Sequence, residues 1–418
     1  MPGGDINYVS TRGFAEPRSF ADVVLEGAAP DGGLYVPETL PTFHDPDGDA
    51  HAPFMVAALE AFGARDVEDL VQSAMSSFNH PDIAPIREVG PFLVMEMFWG
   101  PTLSFKDHAL QVLGGLIDRY LAEAGEHRTV LVATSGDTGS AAIEAFRGLE
   151  SVEIVVLFPE GLVTEFQKRQ MTTVSDANVS VIGVLGDFDV CQRLVKEAFR
   201  NPGLASANSI NWGRVAAQVG YYMSASARID QPFDVVVPTG NFGNAYSAFL
   251  SRAMRSKIGE ITVATNANRV LADLHETGRV ASRSTVPTLA PAMDIQVPSN
   301  LERYMYNHEV TDFAGHFGAG WASDEKVLET IARVYEGFGY LIDPHTAVAW
   351  AVAEDLDPSD VPRLIVSTAH PAKFAEAIEQ AVGFVPEVPE WARFDPDGPE
   401  HVTTIGPNVE ELLALLPD

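Results

Sequence analysis

Phe98-Trp99-Gly100-Pro101-Thr102-Leu103-Ser104-Phe105-Lys106-Asp107-His108 decides how this chain is read, because it sets a lysine at the start of an apolar helix. The helical pattern follows at Leu110, Leu113, Leu116 and Ile117. Ser104-x-x-Asp107 has the form of a capping box, which puts Lys106 in the first helical turn. A cation there faces the positive end of the helix dipole. Aromatic, partly dry surroundings also disfavour an ammonium. Both effects favour the neutral, nucleophilic amine that a Schiff base with a carbonyl cofactor requires.

The chain has six lysines, and none precedes Lys106. Lys168, Lys196, Lys257 and Lys326 lie in polar runs, a helical charge pattern or a loop, the usual settings of solvated lysines. Lys373 is the competitor, because His370-Pro371-Ala372-Lys373 follows a buried strand. Context favours Lys106.

At 418 residues the chain is too long for one typical core, so two or three domains are expected. Its net charge of −31 argues against nucleic acid or anionic membrane as a partner, since both need basic surface. A phosphate site would therefore be built locally, from backbone N–H groups and a few cations. No apolar run reaches membrane length. The Met1-Pro2-Gly3-Gly4-Asp5 start lacks a secretory pattern. One cysteine, Cys191, leaves no internal disulfide or cysteine metal cluster. A cytoplasmic enzyme without metal, acting as monomer or homodimer, is the expectation.

Residues 1–90 read as a small, mainly helical domain. Residues 91–220 then carry the lysine and a smaller α/β subdomain, and residues 221–418 a large α/β domain. Expected strands are Thr129–Ala133, Glu153–Leu157, Val179–Val184, Val235–Val237, Ile261–Ala264 and Leu364–Ser367. Helical patterns lie between them at Asp107–Ala124, Ser140–Gly148, Phe188–Arg200, Trp212–Ile229 and Asn244–Ser256. Such alternation predicts mostly parallel sheets, with ligands beyond the carboxyl ends of the strands.

Polar motifs sit at those ends. Thr239-Gly240-Asn241-Phe242-Gly243-Asn244 follows a buried strand and opens a helix, so its N–H groups suit a phosphate. Thr134-Ser135-Gly136-Asp137-Thr138-Gly139 repeats the arrangement with hydroxyls, suiting a carboxylate or a second phosphate, or simple helix capping. Asn208-Ser209-Ile210-Asn211-Trp212-Gly213-Arg214 offers amides, a hydroxyl and a guanidinium where cations are scarce. Thr368 and His370 end the last strand; alone they would read as caps of the next helix.

Together these motifs resemble threonine synthases, pyridoxal-phosphate enzymes of fold type II, the tryptophan-synthase-β-like α/β fold. The N-terminal segments Ser10-Thr11-Arg12-Gly13 and Ala29-Pro30-Asp31-Gly32-Gly33-Leu34-Tyr35-Val36-Pro37 carry the most specific part of the likeness. The resemblance implies that Lys106 binds the pyridoxal 5'-phosphate carbonyl and that Gly240, Asn241, Phe242, Gly243 and Asn244 cradle its phosphate. Thr368 would meet the pyridine nitrogen, and Asp137 would stand near the phenolic oxygen, where many fold relatives place Asn. Ser135, Gly136 and Thr138 would hold the substrate carboxylate, and Ser209, Asn211 and Arg214 the substrate phosphate. The implied reaction is the last step of threonine biosynthesis. It turns O-phospho-L-homoserine and water into L-threonine and phosphate by γ-elimination and β-addition of water. A dehydratase or phospho-lyase of the same fold would share Lys106 and the glycine loop, and a non-catalytic phosphate binder would hold no chromophore.

Overall fold

The computed structural model of the chain describes residues 6–199, 203–281 and 283–417. Met1–Asp5 and Arg200, the end of one expected helix, lie outside them. Strands β1 (Tyr8–Ser10) and β2 (Tyr35–Pro37) pair antiparallel around helix α1 (Phe20–Glu26), followed by α2 (His51–Ala61) and α3 (Glu68–Met75). A hairpin of β3 (Ile86–Val89) and β4 (Phe92–Glu96) leads to α4 (Lys106–Ala124). Then come β5 (Arg128–Ala133), α5 (Asp137–Phe146), β6 (Val152–Pro159), α6 (Glu165–Thr172), β7 (Val179–Val184), α7 (Phe188–Ala198) and β8 (Leu204–Ala205). Helix α8 (Trp212–Arg228) returns to β9 (Phe233–Pro238), α9 (Gly243–Ala253) and β10 (Ile258–Thr265). Strands β11 (Gly318–Trp321), β12 (Arg363–Ser367) and β13 (Thr403–Ile405) complete the sheets.

Among the described residues the strands after β2 form two sheets, ordered β11-β10-β9-β12-β4-β3 and β13-β7-β6-β5-β8. Only the β3–β4 pairing in them is antiparallel. The apolar runs are continuous because both faces of each sheet are covered. Val130 and Val132 face a central core shared with α4, α5 and α8, while Leu131 and Ala133 face a second core against Leu194 and Val195 of α7. In the larger sheet Leu364 and Val366 enter the central core, and Ile365 turns to a third, around Trp350. Burying the side chain of one Val, Leu or Ile contributes roughly 1.5–3 kcal/mol.

All six expected strands fall within observed ones, but β3, β4, β8, β11 and β13 add to them in these two sheets. The sheets also ignore the contiguous division at residues 90 and 220. Strands β3 and β4 join the larger sheet across residue 90, and β13 crosses back to pair with β7. Gly90-Pro91, read as a boundary, is the hairpin turn. Strand β11 is glycine-rich for a packing reason: a Cβ on Gly320 would lie 2.6 Å from Val352 Cγ1 in the helix Pro344–Asp355.

Candidate active site

The lysine loop is held by backbone bonds to the end of β12. Phe105 N–H donates to Thr368 O (2.8 Å), His370 N–H to Leu103 O (3.0 Å) and Met97 N–H to Ser367 O (2.9 Å). Lys106 lies in the first turn of α4, as expected, and is its first residue, but the capping box does not form. Asp107 instead accepts from Thr102 N–H (2.9 Å) and Thr102 Oγ1–H (2.6 Å), and the Ser104 hydroxyl has no partner. Leu103, in a left-handed conformation (φ 63°), folds the loop back so that Thr102 reaches the carboxylate first. Burial pushes the Asp107 carboxyl up to about 6, against the pull of those two bonds.

Two buried lysines meet one carboxylate. Lys106 Nζ lies 3.4 Å from Asp137 Oδ2 and 4.6 Å from the centre of the Phe105 ring. Lys373 Nζ lies 3.2 Å from Asp137 Oδ1 and donates to Thr102 O (2.6 Å) and Gln170 Oε1 (2.7 Å). Gln167 Nε2–H donates to Asp137 Oδ1 as well (2.8 Å). Burial lowers the Lys106 amine below the usual lysine range; Asp137 opposes this, and Arg214 and Lys373 reinforce it. Burial would raise the Asp137 carboxyl, but Lys373 and Lys106 outweigh it and hold the carboxyl below its ordinary range. Lys106 therefore has the surroundings of a nucleophile, and Lys373 those of a counter-ion.

Lys106, Asp137, Thr368, Gly240–Asn244, Ser135, Thr138, Ser209 and Arg214 line one cavity of about 180 Å³ at the carboxyl ends of the strands. Helix α9 starts there without a side-chain cap, after Phe242 in a left-handed conformation (φ 63°). The Phe242 ring, packed 5.1 Å from Phe317 and 5.8 Å from Phe313, offsets the cost of that backbone and aims the free N–H groups of the first turn at the cavity. Asn244 Oδ1 accepts from Tyr221 Oη–H (2.5 Å) and Tyr222 Oη–H (2.6 Å), which leaves its buried Nδ2 without a partner. Arg214 Nη1–H donates to Ala207 O (3.3 Å), and its buried Nε is also unpartnered. Burial lowers the Arg214 guanidinium to about 10.

Two expected site residues do not line the cavity. Asn211 caps α8, accepting from Gly213 N–H (2.9 Å) and donating to Val24 O and Ser206 O (both 2.8 Å). Gly136 lies behind the wall, where a Cβ would sit 2.4 Å from Gln167 Oε1, and its φ of 132° is open to glycine alone. We expect Gly136→Ala to cost ~1–3 kcal/mol of unfolding free energy and to displace Gln167 from Asp137. Thermal unfolding measures the first effect; an unchanged midpoint would show that the loop relaxes freely.

The N-terminal motifs reach the site through one helix. Ser10 Oγ–H donates to Asp31 (2.8 Å), joining the two motifs. Thr11 and Arg12 both hold Glu302, Arg12 as a two-pronged ion pair (2.8 and 3.0 Å). The next residue, Arg303, donates to Tyr35 O and Ile210 O, and Asn300 Nδ2–H bonds Ser209 O (3.1 Å) and Asn241 O (3.2 Å). Asn300 thus ties the Ser209 loop to the Asn241 loop. Gln167 and Asn300 were not among the expected site residues, and Lys373 stood there only as the rival of Lys106. Thr164-x-x-Gln167, a capping-box spacing that α6 does use, was the one local signal for Gln167.

Known proteins resemble this chain over most of its length. Residues 81–367 match the family of pyridoxal-phosphate dependent enzymes, residues 7–60 the threonine synthase N terminus and residues 346–415 the threonine synthase C-terminal region. The threonine synthase of Pseudomonas aeruginosa is 39% identical over 92% of each chain. The chain belongs to the threonine synthase family. The crystal structure of the pyridoxal-phosphate-bound threonine synthase of Brucella melitensis superposes with a TM-score of 0.90 at 35% identity, over 97% of this chain and 98% of that one. The Escherichia coli threonine synthase gives 0.88 at 30% identity, over 98% and 99%. The fold is therefore type II, and pyridoxal phosphate is the cofactor of this threonine synthase chain. The residues fit that group: an uncapped helix start for a phosphate, an amine of lowered basicity for a carbonyl, and at Asn244 Nδ2 a buried unpartnered donor. No helix among the described residues is long and apolar enough to cross a membrane.

Proposed function

We propose that this chain converts O-phospho-L-homoserine and water into L-threonine and phosphate. The observation that carries the reading is a second anion-binding group beside the first. Arg214 faces the same cavity as Lys106 and the α9 start, with a buried guanidinium nitrogen still to be satisfied. A dehydratase acting on serine or threonine needs no such cation.

The roles follow from position. The N–H groups at the start of α9 and Asn244 hold the cofactor phosphate. Ser135 and Thr138, at the start of α5, hold the substrate carboxylate. Arg214 and Ser209 hold the substrate phosphate. When bound, the pyridoxal ring supplies the sink for electrons released at the substrate carbon. Lys106 Nζ removes the α-proton and returns a proton later, its free-amine fraction raised by burial. The reading carries a cytoplasmic enzyme, monomer or homodimer, with no nucleic-acid partner, in line with the −31 charge.

Incubating the purified chain with O-phospho-L-homoserine tests this directly. Equal release of threonine and phosphate is expected. Release of 2-oxobutyrate in place of threonine would move the chain to the phospho-lyase reading.

Thr368 is buried at the end of β12, in the cavity wall. A hydroxyl at the pyridine nitrogen leaves that nitrogen largely unprotonated, whereas a carboxylate stabilises its proton. Thr368→Asp should shift the visible absorption of the loaded enzyme and raise side products relative to threonine. An unchanged spectrum and product ratio would mean that Thr368 does not meet the ring.

A further inference from the structure

The site described above uses one lysine, yet it buries two. Lys373 is fully buried, in the short 3-10 turn Pro371–Phe374 that follows β12. Its three polar neighbours, Thr102 O, Gln170 Oε1 and Asp137 Oδ1, are all acceptors. Lys106 has one, Asp137 Oδ2, at the longer distance of 3.4 Å. The backbone of Lys373 is pinned too, because Thr164 Oγ1–H donates to its carbonyl (3.0 Å). Asp137 and Gln170 come from the smaller-sheet unit, and Thr102 and Lys373 from the larger.

We propose that Lys373 is a positioning residue that engages the Asp137 carboxylate on its Oδ1 side, so that Lys106 is left as the free amine that captures the carbonyl cofactor. Counting charges in the dry cavity gives the reason. Asp137 and Asp107 each carry a negative charge, and Lys373 and Arg214 balance the two. A protonated Lys106 would be one cation in excess, so its proton is the one given up. His345, which also faces Asp137, is paired with Asp343 (2.8 Å). Without Lys373, Asp137 would have Lys106 as its remaining lysine and would hold it as an ammonium.

The inference rests on the cofactor reading but not on the substrate, so it is tested on cofactor capture. The full chain, stripped of cofactor, is mixed with pyridoxal phosphate across pH, trapped with borohydride and mapped by peptide. In the parent chain Lys106 should be trapped with a midpoint below that of the exposed Lys196 probed by reductive methylation. Lys373 should stay unlabelled while the chain is folded. In Lys373→Met the Lys106 midpoint should rise by about one pH unit or more, so capture near neutral pH slows roughly tenfold and recovers at high pH. Lys373→Arg should stay near the parent. Asp137→Asn, nearly isosteric, tests the same count from the other side and should lower the midpoint. The same midpoint in parent and Lys373→Met, or a rate reduced by one factor at every pH, would overturn the proposal and leave Lys373 a structural contact. Should Lys373→Met fail to fold, the parent and Asp137→Asn arms decide. Labelling of Lys373 alongside Lys106, or an Asp137→Asn midpoint that does not fall, overturns it equally. Failure of the chain to make threonine would leave all of these midpoints unmoved.

Discussion

Lys106→Ala is expected to abolish threonine formation and the visible cofactor band together. Loss of proton transfer alone costs ~10²–10⁴-fold in rate, and loss of the covalent anchor adds to it. The fold should survive. Among the described residues Lys106 has a single hydrogen-bond partner, Asp137, and truncation does not strand that carboxylate, because Lys373 and Gln167 still hold it. Absorbance after adding pyridoxal phosphate, borohydride trapping and a thermal melt read the three parts separately. A reducible adduct that persisted in Lys106→Ala would pass the nucleophile's role to Lys373.

Arg214→Ala should separate the substrate from the cofactor. The guanidinium is buried and makes one hydrogen bond, to a backbone carbonyl, with its Nε unsatisfied. A charge-assisted bond to a phosphate is worth about 1.5–3 kcal/mol, which is ten- to a hundredfold in kcat/KM. Burial lowers the guanidinium only to about 10, so it stays charged at neutral pH. Turnover of phosphohomoserine should fall by that factor while pyridoxal phosphate affinity holds. Arg214→Met, closer in volume, guards against a packing defect. An equal loss of cofactor affinity in both variants would place Arg214 on the cofactor phosphate.

What the sequence disclosed about the site was local in kind. Lys106 stands out by its neighbours, and the loops after β5, β9 and β12 declare themselves by a buried strand that ends in glycine and hydroxyl groups. Local signals also misled. Ser104-x-x-Asp107 has the spacing of a cap, but Thr102 competes for the same carboxylate, and only the reversed backbone at Leu103 decides between them. Asn211 caps α8 through Gly213, a role its spacing allowed equally with phosphate binding. The remaining site residues come from afar. Asn300 reaches Ser209 and Asn241, Lys373 reaches Asp137 and Thr102, and Glu302 reaches Arg12, with no periodicity or motif linking them. Strand β3 was hidden by Arg87 and Glu88, which belong on a sheet edge, and β11 by glycines that packing requires.

The placement of β4 between β3 and β12 bears on how the protein is made. Strand β4 leaves the ribosome with one edge unpaired, and β12 follows only after β5 to β11 have been synthesised. At about 5–20 residues per second that wait is roughly 15–50 s. During it the nascent chain carries an open edge of Val94 and Met95, a template for wrong pairing. The backbone bonds that shape the lysine loop, from Phe105 and Met97 to Thr368 and Ser367, cannot form until β12 arrives. Lys373 emerges later still. Premature termination or slow translation of the last quarter of the message should thus yield aggregation-prone chains with no capacity to hold cofactor, and reactivity toward aldehydes at Lys106 becomes a marker of completed synthesis.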